Sequence, residues 1–332
     1  MKLLFNFDGT LGEPDLSENK KNILGFSITN ILKIHLLAGG NIENTSESIK
    51  NQKSFYYPGV GTRGNFFTRA WRAAFAAKGI DVILNEAFQG INKYYTKNDK
   101  IYISGFSRGA AIARIFASKL SKLNIPVEFL GVFDTVASFG FPNLHSNKRP
   151  VSDVLFENNT IAPLVKKAYH LVSLDENRLA FRPTLMNYQD NITEIWFPGV
   201  HTDIGGGHYI HNLSDIPLQY WLKVAKKDGL IYYNDFSQIP SENLKGKDQN
   251  GDSIIIGNDD LIFDSDELGV LHSHDEKWRD ILNILAPREA VVLKNNVPCD
   301  LPFKIHPAAI TRQKYIEYNP IPLENKNYII QS

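Results

Sequence analysis

The sequence feature that most constrains the fold is a pentapeptide of the pattern G-x-S-x-G, which spans Gly105 to Gly109 with Ser107 at its centre. An apolar run, Ile101 to Ile103, precedes it, and a segment rich in alanine follows it. This order predicts a strand, a sharp turn and a helix, the arrangement called a nucleophile elbow, in which the flanking glycines let backbone segments approach closely. The alternative is a glycine-rich turn whose serine only caps the helix. The elbow predicts an α/β sheet that presents Ser107 at the carboxyl end of a strand.

Strand and helix signals alternate along the first two thirds of the chain. Apolar runs predict strands at 2–7, 54–57, 100–104, 127–133 and 194–198. Apolar residues at helical spacing predict helices at 25–37, 66–77, 80–95, 108–123 and 217–227, with a break between the second and the third at Gly79. This order predicts a mostly parallel central sheet flanked by helices on both faces. Together with the elbow, it predicts an α/β-hydrolase-like fold.

The length of the chain suits one large α/β domain. It has 332 residues, of which 43% are hydrophobic, and this is enough to form a sizeable core. We expect residues 1–332 to form a single domain, with residues 232–276 as an insertion or a lid-like region, because the periodic pattern weakens there. Asp248, Asn250 and Asp252 are spaced as in a calcium loop, but Gly251 falls at the fourth place rather than the sixth, which favours a solvated turn. No metal and no cofactor is expected.

Charge and cysteine content argue against several classes of function. The 36 basic and 36 acidic side chains balance, so bulk electrostatic attraction of nucleic acid is not expected. Cys299 is the single cysteine, which excludes an internal disulfide and a thiolate zinc cluster. The apolar N-terminal stretch breaks at Asn6 and Asp8, and no run reaches the length of a membrane span. We expect cytoplasmic synthesis without a signal peptide, so that any export uses a signal-independent route.

A serine nucleophile needs a histidine base and an acid that orients the base. Asp134 and His201 end later predicted strands, so both are expected at the sheet edge where Ser107 emerges, in the chain order Ser, Asp, His. The main-chain N–H of Arg108, at the start of a helix, is a candidate donor to the oxyanion. Asp203 is the alternative acid. The alternative bases are His170, His208, His211 and His306.

The N-terminal strand leads into a second candidate element of the site. Residues 5–11 resemble the D-x-D-G-T-L signature of haloacid-dehalogenase-type phosphatases, but Asn6 stands where that family has its nucleophilic aspartate. An amide cannot accept the phosphoryl group, so this interpretation loses its nucleophile. In a serine hydrolase, the same loop would supply the second oxyanion N–H from Gly9 or Thr10.

Six ordered motifs resemble those of one protein family. They lie at residues 7–10, 57–62, 105–114, 131–136, 170–183 and 197–207. From about residue 3 to residue 221 they are similar, in register, to the α/β-hydrolase domain of type VI secretion lipase effectors, the family-one phospholipases and their uncharacterised relatives. Residues 305–312 look like the C-terminal element of the same family.

The resemblance implies hydrolysis of phospholipid acyl esters by a triad that matches Ser107, Asp134 and His201. Other matched positions, with supporting roles, are Asp8, Gly105, Gly109 and Asp203. The implied partners are an immunity protein and a secretion-spike protein. Leu11 departs from the aromatic residue that relatives commonly have, and the short chain leaves little room for the membrane-docking module of some relatives.

Two questions of function stay open from the sequence. The segment 66–77 carries Phe67, Trp71 and Phe75 on one helical face, which either touches a membrane peripherally or faces the core. The alternative functions are a soluble-ester esterase and a non-catalytic binding module that keeps the hydrolase fold.

Overall fold

A parallel sheet organises the part of the chain that the computed structural model describes, which comprises residues 1–9, 26–44, 49, 51–59, 76–137, 161–247, 253–272, 285–324 and 326–332. Most of the helix predicted at 66–77 lies outside these residues, as do the calcium-like turn at 248–252 and Thr10. The strands are β1 Lys2–Phe7, β2 Phe26–Thr29, β3 Gln52–Tyr57, β4 Lys100–Phe106, β5 Val127–Phe133, β6 Ala168–Ser173, β7 Ile192–Phe197, β8 Gly206–His208, β9 Lys245–Lys247, β10 Ser253–Ile255, β11 Val292–Lys294, β12 Val297–Cys299, β13 Phe303–Ile305 and β14 Tyr328–Ile330.

Eight of the described strands form one sheet in the order β14, β13, β7, β6, β5, β4, β1, β3. Every neighbouring pair in it is parallel. Three antiparallel pairs lie outside this sheet: β2 with β8, β9 with β10, and β11 with β12. Since parallel strands end at the same edge, the residues that follow β1, β4, β5 and β7 are brought to one side of the sheet.

Helices cover both faces of the sheet. They are α1 Asn30–Leu37, α2 Ala76–Tyr94, α3 Ser107–Lys122, α4 His201–Gly205, α5 Asn212–Lys227 and α6 Pro307–Tyr315. Apolar side chains of α1 and α5 join one core cluster with Tyr102 and Phe129 of the sheet. Side chains of α2 and α3 join a second cluster, on the opposite face, with Phe5 and Ile103. The predicted α/β fold with a mostly parallel sheet between two helical layers is therefore confirmed.

Three predicted helix boundaries are wrong. The helix predicted at 217–227 begins at Asn212, so that Pro217 lies inside it. The segment predicted as one helix at 25–37 begins as β2, which pairs with β8, and the helix starts only at Asn30 because Thr29 caps it by accepting a hydrogen bond from Leu32 N. The predicted break at Gly79 is absent, since α2 runs through it. A glycine inside a helix costs about 1 kcal/mol relative to alanine. That cost is small beside the burial of Ile83 and Leu84 against the sheet.

Residues of the region predicted as an insertion contribute to the main core. Phe236, Ile239 and Ile254 are buried in the cluster that contains Trp221 of α5. The division of the chain into one domain with an insertion at 232–276 stays a prediction. Within the described residues, no helix is long and apolar enough to cross a membrane.

Replacement of Gly109 by alanine tests the contact between α3 and β1. A Cβ at this position would lie 2.3 Å from the main-chain oxygens of Phe7 and Asp8. Because backbone atoms cannot move aside, we expect Gly109→Ala to lower the free energy of unfolding by about 1–3 kcal/mol in urea denaturation. The control is Gly257→Ala, whose nearest atom would be 3.8 Å away. Equal stability of Gly109→Ala and the wild type would contradict this packing.

Candidate active site

The elbow predicted from the sequence is present in the structure. Strand β4 ends at Phe106 and α3 begins at Ser107, which has a φ of +56° and is 7% exposed. This left-handed conformation is strained for a residue with a Cβ, and it is typical of a nucleophile elbow. A Cβ on Gly105 would lie 2.7 Å from the carbonyl oxygen of Gly109, so the two flanking glycines allow the sharp turn. The turn thus places Ser107 at the N-terminal end of α3.

The structure brings Asp134 and His201 together. Asp134 directly follows β5, and His201 Nδ1 donates a hydrogen bond of 2.5 Å to Asp134 Oδ2, with both side chains buried. The expectation that His201 ends a strand is wrong. Strand β7 ends at Phe197, and His201 is the first residue of the short helix α4. The turn between β7 and α4 therefore brings the His201 imidazole to the Asp134 carboxylate, which follows β5.

Two aromatic rings hold the imidazole of His201 beside the elbow. Its ring centroid lies 4.6 Å from that of Phe106, the residue before Ser107, and 5.0 Å from that of Phe181. Burial lowers the pKa of His201, and the hydrogen bond and charge of Asp134 oppose this shift. With Nδ1 bound to Asp134, Nε2 is the ring nitrogen suited to accept a proton.

Arg288 is a functional candidate that the sequence analysis missed. Its Nη1 donates to Asp134 Oδ1 at 2.6 Å and its Nη2 donates to Asp134 Oδ2 at 2.8 Å, and both side chains are buried. Burial alone would raise the pKa of Asp134. The charge of Arg288 and the hydrogen bonds from His201 and Arg288 outweigh it and hold this pKa well below its usual range. No local pattern marks an ion pair between residues 154 positions apart.

Asp203, the alternative acid, pairs with a different histidine. Its carboxylate accepts hydrogen bonds from Val200 N at 3.0 Å and from His272 Nδ1 at 2.5 Å. The ring of His272 stacks on that of His208, with centroids 3.8 Å apart and planes 10° from parallel. These three residues offer ligand-type atoms within 4.8 Å of one another. The three residues thus form a hydrogen-bonded pair, Asp203 and His272, with the ring of His208 stacked on it.

The other candidate bases have hydrogen-bond partners other than the Asp134 carboxylate. His170 Nε2 accepts from Thr135 N at 3.0 Å. His211 Nδ1 pairs with Asp215 at 2.8 Å. His306 caps α6 by accepting from Ala308 N, and burial lowers the pKa of His306 to about 4. His208 Nε2 contacts the Thr202 hydroxyl. Among the described residues, His201 is the histidine joined to the acid that follows β5.

The predicted oxyanion loop starts from a buried carboxyl group. Asp8 accepts hydrogen bonds from Gly9 N at 2.6 Å, from the Thr29 hydroxyl at 2.6 Å and from the Tyr56 hydroxyl at 2.5 Å. The Gly9 N–H is thus engaged with Asp8, and to bind an oxyanion it would have to share or leave that bond. The N–H of Arg108 lies in the first turn of α3, at the positive end of the helix dipole.

Asn6, which occupies the position of the phosphatase nucleophile, has a structural role. Its amide donates to Ser54 Oγ and to Phe55 O, and its carbonyl accepts from Ser104 Oγ, all at 2.7–2.9 Å. These bonds tie β1 to both neighbouring strands. A buried amide with these partners is consistent with the rejection of the phosphatase interpretation.

Comparison with known proteins decides the family. The family described as T6SS, phospholipase effector Tle1-like, catalytic domain, matches residues 2–125 and 116–224. The chain belongs to this family. The resemblance noted in the sequence is confirmed by this match, and all the candidate triad residues lie within the matched part of the Tle1-like domain.

Individual relatives of this Tle1-like chain are distant. It is 24% identical over 240 residues to the uncharacterized protein YEL023C of Saccharomyces cerevisiae, which covers 54% of this chain and 32% of the yeast protein. An uncharacterized protein from Pseudomonas aeruginosa has 21% identity and a TM-score of 0.45, over 70% of this chain and 46% of the other. The Tle1 effector bound to the VgrG spike has 21% identity and a TM-score of 0.38, over 62% and 51%. The chain spans about a third of the yeast relative and about half of each solved structure.

The titration of Asp8 tests the burial of this site. Burial raises the pKa of Asp8 to about 6 from an ordinary value of 3.8, against three hydrogen bonds that lower it. The folded state therefore binds a proton more tightly than the unfolded one, so the stability that Asp8 contributes falls as the pH rises through this range. We expect a carboxyl ¹³C resonance that titrates near pH 6 and is absent from Asp8→Asn. Asp99, whose pKa is lowered by its hydrogen bonds to the N-terminal ammonium group and Thr96, is the control; titration of every carboxyl below pH 5 would contradict the prediction.

Proposed function

We propose that the chain is a serine hydrolase that cleaves acyl esters through Ser107, Asp134 and His201. The observation that carries the proposal is the buried 2.5 Å hydrogen bond between His201 and Asp134. The His201 ring packs on that of Phe106 at 4.6 Å, and Phe106 precedes Ser107, which has the left-handed conformation at the N-terminal end of α3. This is the combination of nucleophile, base and orienting acid that acyl transfer requires.

In the proposed acylation step, Ser107 Oγ attacks the carbonyl carbon of the ester. His201 Nε2 takes the hydroxyl proton, and Asp134 stabilises the resulting imidazolium through Nδ1–H. When the tetrahedral intermediate collapses, the bond between the acyl carbon and the alcohol oxygen breaks. His201 gives the proton to that oxygen, so an alcohol leaves and an acyl-serine remains.

Water completes the reaction by the same route. His201 Nε2 takes a proton from water, whose oxygen attacks the acyl carbon, and the bond to Ser107 Oγ breaks. The proton returns to Ser107, and a carboxylic acid is released. In both steps we assign the oxyanion to the N–H of Arg108, where the α3 dipole adds positive potential, and to the loop at Gly9 and Thr10.

Family membership supports phospholipids as the substrate class and a role as a secreted antibacterial effector. A spike partner is proposed on the same ground, since a Tle1 effector has been solved bound to a VgrG spike. An immunity protein and secretion without a cleaved signal complete this proposal. A peripheral membrane contact is included because phospholipid substrates lie in bilayers.

Replacement of Ser107 tests the proposed nucleophile. We expect Ser107→Ala to lower turnover about 10³-fold or more with the fold intact, because no other group in the proposed mechanism forms the acyl bond. Fatty acid release is measured from mixed phospholipid vesicles and from the soluble ester p-nitrophenyl butyrate. Labelling by a fluorophosphonate, mapped by mass spectrometry, should modify Ser107 in the wild type.

Ser237→Ala, which changes an exposed serine hydroxyl, is the matched control and should retain full activity. Serine-dependent release from vesicles supports a phospholipase. Release from the soluble ester alone supports an ester hydrolase and contradicts a membrane phospholipid as its substrate. Equal activity of Ser107→Ala and the wild type would overturn the triad, and an unlabelled, inactive wild type would favour the binding module.

A further inference from the structure

Arg288 joins the proposed catalytic acid to the main chain around it. Besides its two bonds to Asp134, it donates to Ser173 O at 3.0 Å and to Phe181 O at 2.6 Å. Its side chain is 2% exposed and that of Asp134 is fully buried. We propose that Arg288 is a positioning residue that keeps His201 in its neutral form at lower pH than a simple Asp–His pair would. This inference rests on the proposed hydrolase function.

The negative charge of Asp134 is compensated before any proton reaches His201. Its carboxylate accepts four hydrogen bonds: from Ser173 N, from His201 Nδ1 and from both terminal nitrogens of Arg288. A guanidinium is always charged, and its planar fork matches a carboxylate. In a triad with a lone aspartate, the full negative charge favours the protonated imidazole. Here Arg288 already compensates the carboxylate charge, so Asp134 stabilises the protonated form of the His201 imidazole less strongly.

The second carboxylate that acts on His201 is compensated in the same way. Glu176 is buried and accepts from His201 N at 3.3 Å. It also accepts from Arg178 Nε and Nη2, each at 2.8 Å. The charged groups whose fields act on His201 are Asp134, Glu176 and Arg288, of which the two carboxylates favour its charged form and Arg288 opposes it. Each of these two carboxylates therefore forms an ion pair with an arginine: Asp134 with Arg288, and Glu176 with Arg178.

Arg288 also fixes the surroundings of the imidazole. The carbonyl group of Phe181 that it binds belongs to the residue whose ring packs on His201 at 5.0 Å. The guanidinium of Arg288 thus binds both the Asp134 carboxylate and the main chain of Phe181, whose ring packs against His201. A purely structural arginine would stabilise the fold without changing the proton affinity of His201, and this difference can be measured.

The experiment compares Arg288→Gln, which removes the charge, with Arg288→Lys, which keeps it without the fork. The pH dependence of kcat/KM on p-nitrophenyl butyrate reports the pKa of the free base. We expect the acid limb to move to higher pH by about one to three units in Arg288→Gln, because a charge a few ångströms away has an effect of this size between the dielectric constants of water and of a protein surface. In Arg288→Lys the shift should be smaller.

The matched control is Arg312→Gln. Arg312 is equally buried, and its guanidinium donates to the main-chain oxygens of Glu267 and Gly269. Loss of stability without a shift of the acid limb is expected for this variant. An equal shift in Arg312→Gln and Arg288→Gln would overturn the assigned role, as would an unshifted acid limb in Arg288→Gln with serine-dependent activity retained.

A second measurement does not depend on turnover. In the Ser107→Ala background, the His201 ring resonance is followed by NMR through the pH range with and without Arg288→Gln. We expect a titration below pH 6.5 with Arg288 and at higher pH without it. If Arg288→Gln does not fold, Arg288→Lys and the parent protein still decide, because a His201 that titrates at or above pH 6.5 beside an intact Arg288 overturns the inference. Activity that persists in Ser107→Ala would instead overturn the proposed function.

Discussion

The burial of one carboxylate organises this structure. Asp134 follows a strand in the middle of the sheet and has no exposure to solvent. An ionised carboxylate in such a position is costly unless hydrogen bonds and an opposite charge compensate it. The compensation comes from three parts of the chain: β6 through Ser173, α4 through His201, and the segment before β11 through Arg288. The candidate site is thus held together by the same bonds that make the buried charge tolerable.

Parts of the fold were predictable because strands buried on both faces read as continuous apolar runs. This holds for β1 and β5, whose predicted bounds agree with the structure. Strand β6 gave no such signal, because His170 and Tyr169 interrupt its apolar residues. Strands β13 and β14 have three residues each, which is too short for any periodicity to be recognised.

The candidate site was predictable to the extent that its chemistry follows local backbone geometry. Ser107 was found from its glycines, and Asp134 and His201 from their positions beyond strands at one edge of the sheet. Arg288 was not, because its role comes only from tertiary contacts with residues far away in the chain. The same limit applies to the pairing of Asp203 with His272, which are 69 positions apart.

The all-parallel sheet has a consequence for how the chain reaches this state. Parallel neighbours require crossover connections, so the contacts that build the sheet join residues distant in sequence, and such topologies fold slowly. The order of the strands adds to this, since β13 from the C-terminal part lies directly against β7, while β1 inserts between β3 and β4. During synthesis, the ribosome must release Arg288 before the buried aspartate can be neutralised. A nascent chain that ends before this residue contains Ser107, Asp134 and His201, yet it lacks the cation that binds the Asp134 carboxylate.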